Sequence, residues 1–138
     1  MPHFDREDLL RAPIERYLES IGYRSRASEL PFFEYSIDVF GYSASTSTTI
    51  AVELKLAKWK RAVEQALLYQ LGVDFSVIAL PQHVIMRIDI GVLNQHGIGL
   101  IAIQDDGEGI QVLAPRRSNV TRPHYRERLI TSASTVVT

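Results

Sequence analysis

Cysteine is absent from this chain of 138 residues. That excludes a disulfide framework, a thiolate metal site and a cysteine nucleophile. It is compatible with a reducing, cytoplasmic setting. Histidine is scarce: His3, His83, His96 and His124 stand apart, with no spacing that puts two on one metal. No apolar run approaches the ~20 residues that a membrane-spanning helix needs, so no membrane partner is expected. The opening stretch, MPHFDREDLL, has acids where a signal peptide carries a basic flank and an apolar core. Gly97 and Gly99 lack the third glycine of a dinucleotide loop and precede an expected strand rather than a helix. No Walker loop and no G-x-S-x-G elbow occur, so a nucleotide-driven motor and a serine hydrolase are not indicated. Charge of one sign is lacking too. A net charge of −1 and a pI near 6.4 argue against nucleic-acid binding by bulk charge alone.

What remains is the composition of a folded domain: 46% hydrophobic and 22% charged residues. A chain of this length is most simply one domain. The charge is unevenly spread. Residues 116–138 carry Arg116, Arg117, Arg122, Arg126 and Arg128 against the single acid Glu127, a balance of +4, and the rest of the chain is at −5. The organisation read from this is one α/β domain over residues 1–114 and a basic, Ser/Thr-rich tail over 115–138.

Apolar residues at three- and four-residue steps predict a helix over 5–21, interrupted or restarted at Pro13 and stopped by Gly22. Extended chain is expected over 24–33, with Pro31 as a break, and a strand over 34–42. The SASTSTT segment 43–49 reads as a loop. Residues 50–56, IAVELKL, alternate, with Ile50, Val52, Leu54 and Leu56 facing one way and Ala51, Glu53 and Lys55 the other. A helix follows over 57–71. Its apolar stripe is Trp59, Val63, Ala66 and Leu67, and its second stripe is Lys58, Arg61, Gln65 and Tyr69. A buried strand over 75–80, a helix over 82–95, and strands over 98–104 and 109–114 joined by the 105–107 turn complete the reading. This alternation favours a three-layer α/β fold with a mixed sheet.

Three residues carry chemistry. Glu53 and Lys55 share one face of a strand, and Asp38 lies on the strand before it. If those strands are neighbours, two carboxylates converge. Such a pair binds a hard divalent cation through oxygen, with water and substrate phosphate completing the shell. A lysine beside it suits phosphodiester hydrolysis: a cation for the charge, water as nucleophile, lysine next to it. A strand with one polar face also produces Glu-x-Lys as a solvated ion pair. Gln65 and Tyr69 likewise fit an ordinary i,i+4 contact on a helix surface.

Ile37-Asp38, then Glu53-Leu54-Lys55 in a strand, then a helix with Gln65-x-x-x-Tyr69, resembles the PD-(D/E)XK nuclease superfamily. The resemblance covers roughly residues 5–104, with Ile37 in place of the signature proline. It implies a restriction-endonuclease-like core and divalent-metal-dependent hydrolysis of DNA. Asp38, Glu53 and the Leu54 carbonyl would be ligands to Mg²⁺, with Mn²⁺ as a substitute. Lys55 would be the catalytic lysine. Gln65 and Tyr69 would support the site or contact DNA. An upstream acid often completes such sites, and Glu15, Glu19 and Glu29 are candidates, with Glu29 preferred. Lys58, Arg61 and the arginine-rich tail would contact phosphates. So short a nuclease has little surface for tracking a duplex, which makes a homodimer or a larger defence or repair complex plausible. The alternative is a catalytically silent protein of the same fold that binds nucleic acid or a partner subunit.

Overall fold

The computed structural model describes residues 4–136. A six-stranded mixed sheet runs in the order β1 (Ser25–Phe32), β2 (Tyr35–Ser43), β3 (Thr48–Leu54), β4 (Phe75–Pro81), β5 (Gly99–Ile103), β6 (Gly109–Leu113). The pairs β1–β2, β2–β3 and β5–β6 are antiparallel; β3–β4 and β4–β5 are parallel. Parallel pairing needs crossovers. Helix α2 (Trp59–Tyr69) supplies the first, and a 3₁₀ turn (Gln82–Arg87) with α3 (Ile90–Gln95) the second.

Helices cover both faces. On one, α1 (Arg11–Ser20) and the 3₁₀ turn before it bury Leu10, Ile14 and Leu18 against Val39, Val52, Leu54, Val77 and Ile103. Each fully buried leucine or isoleucine contributes about 1.5–3 kcal/mol of transfer free energy. On the other face, α2 sets Ala62, Val63 and Ala66 against Ile78, Leu80 and Leu100. Small alanines let the helix approach the sheet closely.

The expected first helix divides at Leu10: Glu7–Leu10 is 3₁₀, and α1 follows. Pro13 is the third residue of α1, in the first turn, where backbone N–H groups have no intrahelical acceptor, so proline costs little. Gly22 ends this segment with φ +103°, a conformation costly for any residue with a Cβ. Pro31 lies within β1, which is tolerated because β1 is an edge strand. The helix expected over 82–95 breaks instead. Ile88 is extended, and the Asp89 side chain accepts the Gly91 N–H at 3.1 Å, capping a new helix.

Residues beyond Pro115, where periodicity fades, are nevertheless built into the fold. The chain runs back across the sheet end: Ser118 N–H donates to the Asp74 carbonyl at 2.7 Å and Arg122 N–H to the Leu71 carbonyl at 2.8 Å. Helix α4 (Pro123–Val136) then packs Leu129 and Ala133 against Ala27, Leu30, Phe32, Phe40 and Val73. A Cβ at Gly72 would come within 2.7 Å of the Phe32 ring and 2.9 Å of Leu129, so the glycine lets α4 close down. From the stretch read as a basic tail, Leu129 and Ala133 are thus buried in the core.

Candidate active site

The site forms where β2 and β3 part. Their ladder runs from Ser43–Thr48 up to Val39–Val52, and Asp38 and Glu53 are the next residues on each strand. The Asp38 carboxylate fills the gap: Oδ2 accepts the Leu54 N–H at 2.8 Å. Strand β3 ends at Leu54, two residues short of the expected Leu56, and so just before Lys55. The Lys55 N–H still donates to the Ala79 carbonyl at 3.1 Å, which holds the residue beside the sheet.

Glu53 is 3% exposed. Its Oε1 lies 2.9 Å from the Tyr69 hydroxyl and its Oε2 3.6 Å from Lys55 Nζ. Tyr69 is fully buried on α2, and its hydroxyl also lies 2.9 Å from the Ser36 carbonyl. A hydroxyl has one proton, and a carbonyl can only accept. The Tyr69 hydroxyl is therefore shared between two acceptors, Glu53 Oε1 and the Ser36 carbonyl. The polar face anticipated on β3 is therefore not solvated: every residue of the strand is buried. The Glu53–Lys55 pair and the Gln65–Tyr69 pair are interior features rather than surface contacts.

The electrostatics follow from that burial. Glu53 is pushed up to about 8, first by desolvation and then by the Asp38 charge, with the Tyr69 hydroxyl and Lys55 pulling the other way. Asp38 is raised by desolvation, opposed by the Leu54 amide, and raised further by Glu29 and Glu7. Burial, followed by the Glu53 charge, raises the Tyr69 hydroxyl as well.

The upstream acids sort by geometry. Glu29 acts on Asp38, but its carboxylate is 2.6 Å from Arg11 Nη2, and its backbone sits at φ +55°. Glu15 and Glu19 instead pair with Arg26, at 3.7 and 2.8 Å. Glu7, exposed in the 3₁₀ turn, also acts on Asp38 through its charge, and the sequence reading did not name it. Only its place in the first turn of a predicted helix marked it. Lys58 and Arg61 are exposed near the start of α2. Gln65 is buried one turn before Tyr69, and its Oε1 has no hydrogen-bond partner. Three of the five tail arginines are engaged internally: Arg117 and Arg126 both reach Asp74 at 3.2 Å, and Arg116 Nη1 donates to Asn94 Oδ1 at 3.2 Å.

Among the described residues, no group of three or more His, Cys, Asp or Glu side chains is arranged to hold a metal ion. The smaller set, Asp38 and Glu53 with the Leu54 carbonyl, is all oxygen. Mg²⁺ commonly takes one or two carboxylates and fills its shell with water and phosphate. Two facts make this set a fit. The paired carboxyls are held above their ordinary range, so added positive charge relieves them. The buried Gln65 Oε1 also lacks a donor on the same face of α2 as Tyr69.

No protein-family profile matches the chain, and no curated protein matches it. A solved structure, the SPO1766 protein of unknown function from Silicibacter pomeroyi, superposes with a TM-score of 0.69 at 20% identity. The match covers 91% of this chain and 82% of that one. The likeness establishes a shared fold: a mixed α/β sheet flanked by helices. Among the described residues, no helix is long and apolar enough to cross a membrane.

Proposed function

We propose that the chain is a divalent-metal-dependent nuclease with a restriction-endonuclease-like core, hydrolysing DNA phosphodiester bonds in the cytoplasm. One observation carries this reading: the buried Glu53 carboxyl and the part-buried Asp38 carboxyl, mutually repelling, sit at the divergence of β2 and β3, with a lysine ammonium 3.6 Å from Glu53. The order of elements α1-β1-β2-β3-α2-β4 and the neighbouring of β1 through β4 support it.

In this reading Asp38 and Glu53, with the Leu54 carbonyl, would hold Mg²⁺ or Mn²⁺. The cation would neutralise phosphate charge and acidify a water. The protein's own groups do the rest. The Leu54 amide fixes the Asp38 carboxylate, and Tyr69 fixes that of Glu53. Tyr69 and Gln65 are thus positioning residues. Lys55, held against β4 through its backbone, presents its ammonium beside Glu53 to pair with a phosphate oxygen or orient the attacking water. Exposed Lys58 and Arg61 would hold the flanking backbone.

The test is cleavage of DNA with Mg²⁺ and with EDTA, comparing wild type with Lys55→Ala. The expected result is Mg²⁺-dependent cutting that falls by at least about 10²-fold in the variant. Equal cleavage by both proteins would sink the role of Lys55. Salt-sensitive DNA binding without cleavage in any divalent cation would establish the silent alternative.

A further inference from the structure

The hairpin between β1 and β2 is closed by Phe33 and Glu34, because Phe32 pairs with Tyr35. Phe33 sits there at φ +55°. Two-residue hairpin loops give such a position to glycine or asparagine, since a Cβ is crowded in that conformation. The fold nevertheless carries a phenylalanine, and the residue is 54% exposed. It is the one exposed phenylalanine among the described residues. Strain of this kind clusters at ligand clamps and active sites.

Phe33 lines a cavity of about 170 Å³ between the hairpin and α4, shared with Phe32, Tyr125, Leu129 and the exposed Arg128. Among the described residues no acid lines it, and none pairs with Arg128. The rings continue inward. Tyr125, Phe33, Phe32 and Tyr69 follow one another with centroids 5.2, 4.9 and 6.3 Å apart. Tyr69 is the residue whose hydroxyl reaches Glu53, at 2.9 Å. Phe33 is also five residues from Asp38, a length of chain that spans at most about 18 Å. The cavity therefore lies within a few nucleotides' length of the carboxyl pair.

We propose that this cavity takes one unstacked base of a single DNA strand, with Phe33 and Tyr125 against the base and Arg128 on the adjoining phosphate. The inference rests on DNA being the ligand of the Asp38–Glu53 site. Size, lining and charge select the occupant. The volume admits one planar ring system and no helix, which is at least about 10 Å across. Aromatic walls hold any base, because every base has a π-face. The one charge in the lining is positive, which a phosphate requires and an apolar ligand does not. Bases in a duplex are stacked on one another and enter only when flipped out.

The experiment measures binding of the full chain in EDTA by fluorescence anisotropy. The ligands are a labelled oligothymidylate, an abasic oligomer of equal length and a duplex. The inference expects the oligothymidylate to bind about tenfold more tightly than the abasic oligomer. Phe33→Gly, which relieves the backbone, should remove that advantage and leave abasic and duplex binding unchanged. Phe33→Trp should keep it, with emission quenched by the oligothymidylate and not by the abasic oligomer. Arg128→Ala should lower the salt slope for the single strand by about 0.7. Circular dichroism checks that each variant is folded. Equal affinity for the abasic oligomer, or oligothymidylate binding indifferent to Phe33→Gly, would overturn the proposal. Quenching of Phe33→Trp by a phosphotyrosine peptide and not by the strand would assign the cavity to a protein partner instead. Cleavage in Mg²⁺ is scored separately. A protein that cuts but ignores Phe33 loses this inference alone; one that stacks the base but never cuts loses the nuclease reading alone.

Discussion

Two buried acids divide the molecule. Asp74, at the start of β4, is surrounded by donors: Thr49 N–H at 2.8 Å, Thr49 Oγ1 at 3.1 Å, and the guanidinium groups of Arg117 and Arg126 at 3.2 Å. Glu53, at the other end of the neighbouring strand, has one hydroxyl, one lysine at 3.6 Å, and a second carboxyl against it. The first acid holds structure together. It ties β3, β4 and α4 into one unit, with Arg126 reaching on to the Ser47 carbonyl. The second is under-compensated, and a buried carboxyl left that way is pushed to bind a proton or a cation. The same residue chemistry thus serves stability in one place and is poised for binding in the other.

The comparison can be broken by exchanging the predicted consequences. Asp74→Ala should produce the largest change in stability. It leaves two guanidinium groups facing an empty site, and breaking a buried ion network costs about 3 kcal/mol or more. Thermal unfolding should show it, with loss of α4 packing. A stability change below about 1 kcal/mol would make Asp74 an ordinary surface acid.

Glu53→Gln should act in the opposite sense, and only at high pH. The folded value near 8 lies above the unfolded 4.5, so the folded protein binds that proton more tightly. Stability is then greatest below about 4.5 and is lost as pH rises through about 8. Gln imitates the protonated form. Without divalent cations, the variant should be more stable than wild type by about 1–2 kcal/mol at alkaline pH and nearly equal at acidic pH. Denaturant titrations at several pH values check this. Equal offsets at both extremes would remove the distinction between the two acids.

Tyr69→Phe should have the smallest effect, about 1 kcal/mol, by leaving the Ser36 carbonyl and Glu53 without their shared hydroxyl. The ring stays edge-on to Phe32, with 6.3 Å between centroids, so packing is preserved and the change reads the hydrogen bonds alone. A loss of several kcal/mol would mean that the hydroxyl holds the fold.

Much of this was legible in the sequence because the signals were local. The alternation in IAVELKL placed β3, and the Asp-Asp-Gly turn placed the last hairpin. The spacing of Gln65 and Tyr69 put both on the face of α2 that turns toward Glu53. Burial of the site was not legible. A polar residue alternating with aliphatic ones reads as solvent-facing, and only the helices on both sheet faces make Glu53 an interior group. Asp74 escaped notice for a related reason. Its partners come from Thr49, Arg117 and Arg126, far apart in sequence, and no spacing rule links them. The same cause hid α4. Its apolar content is small, and its attachment rests on Thr121, Ser118 and Arg122 bonding to backbone near the end of α2.

The central claim is that burial and the neighbouring Asp38 charge hold a proton on Glu53. Carboxyl-resolved NMR titration of the metal-free protein, repeated with saturating Mg²⁺, tests it most directly. The account predicts a Glu53 midpoint near 8 without the ion and a clear downward shift with it. Titration in the ordinary carboxylate range, unmoved by Mg²⁺, would contradict it.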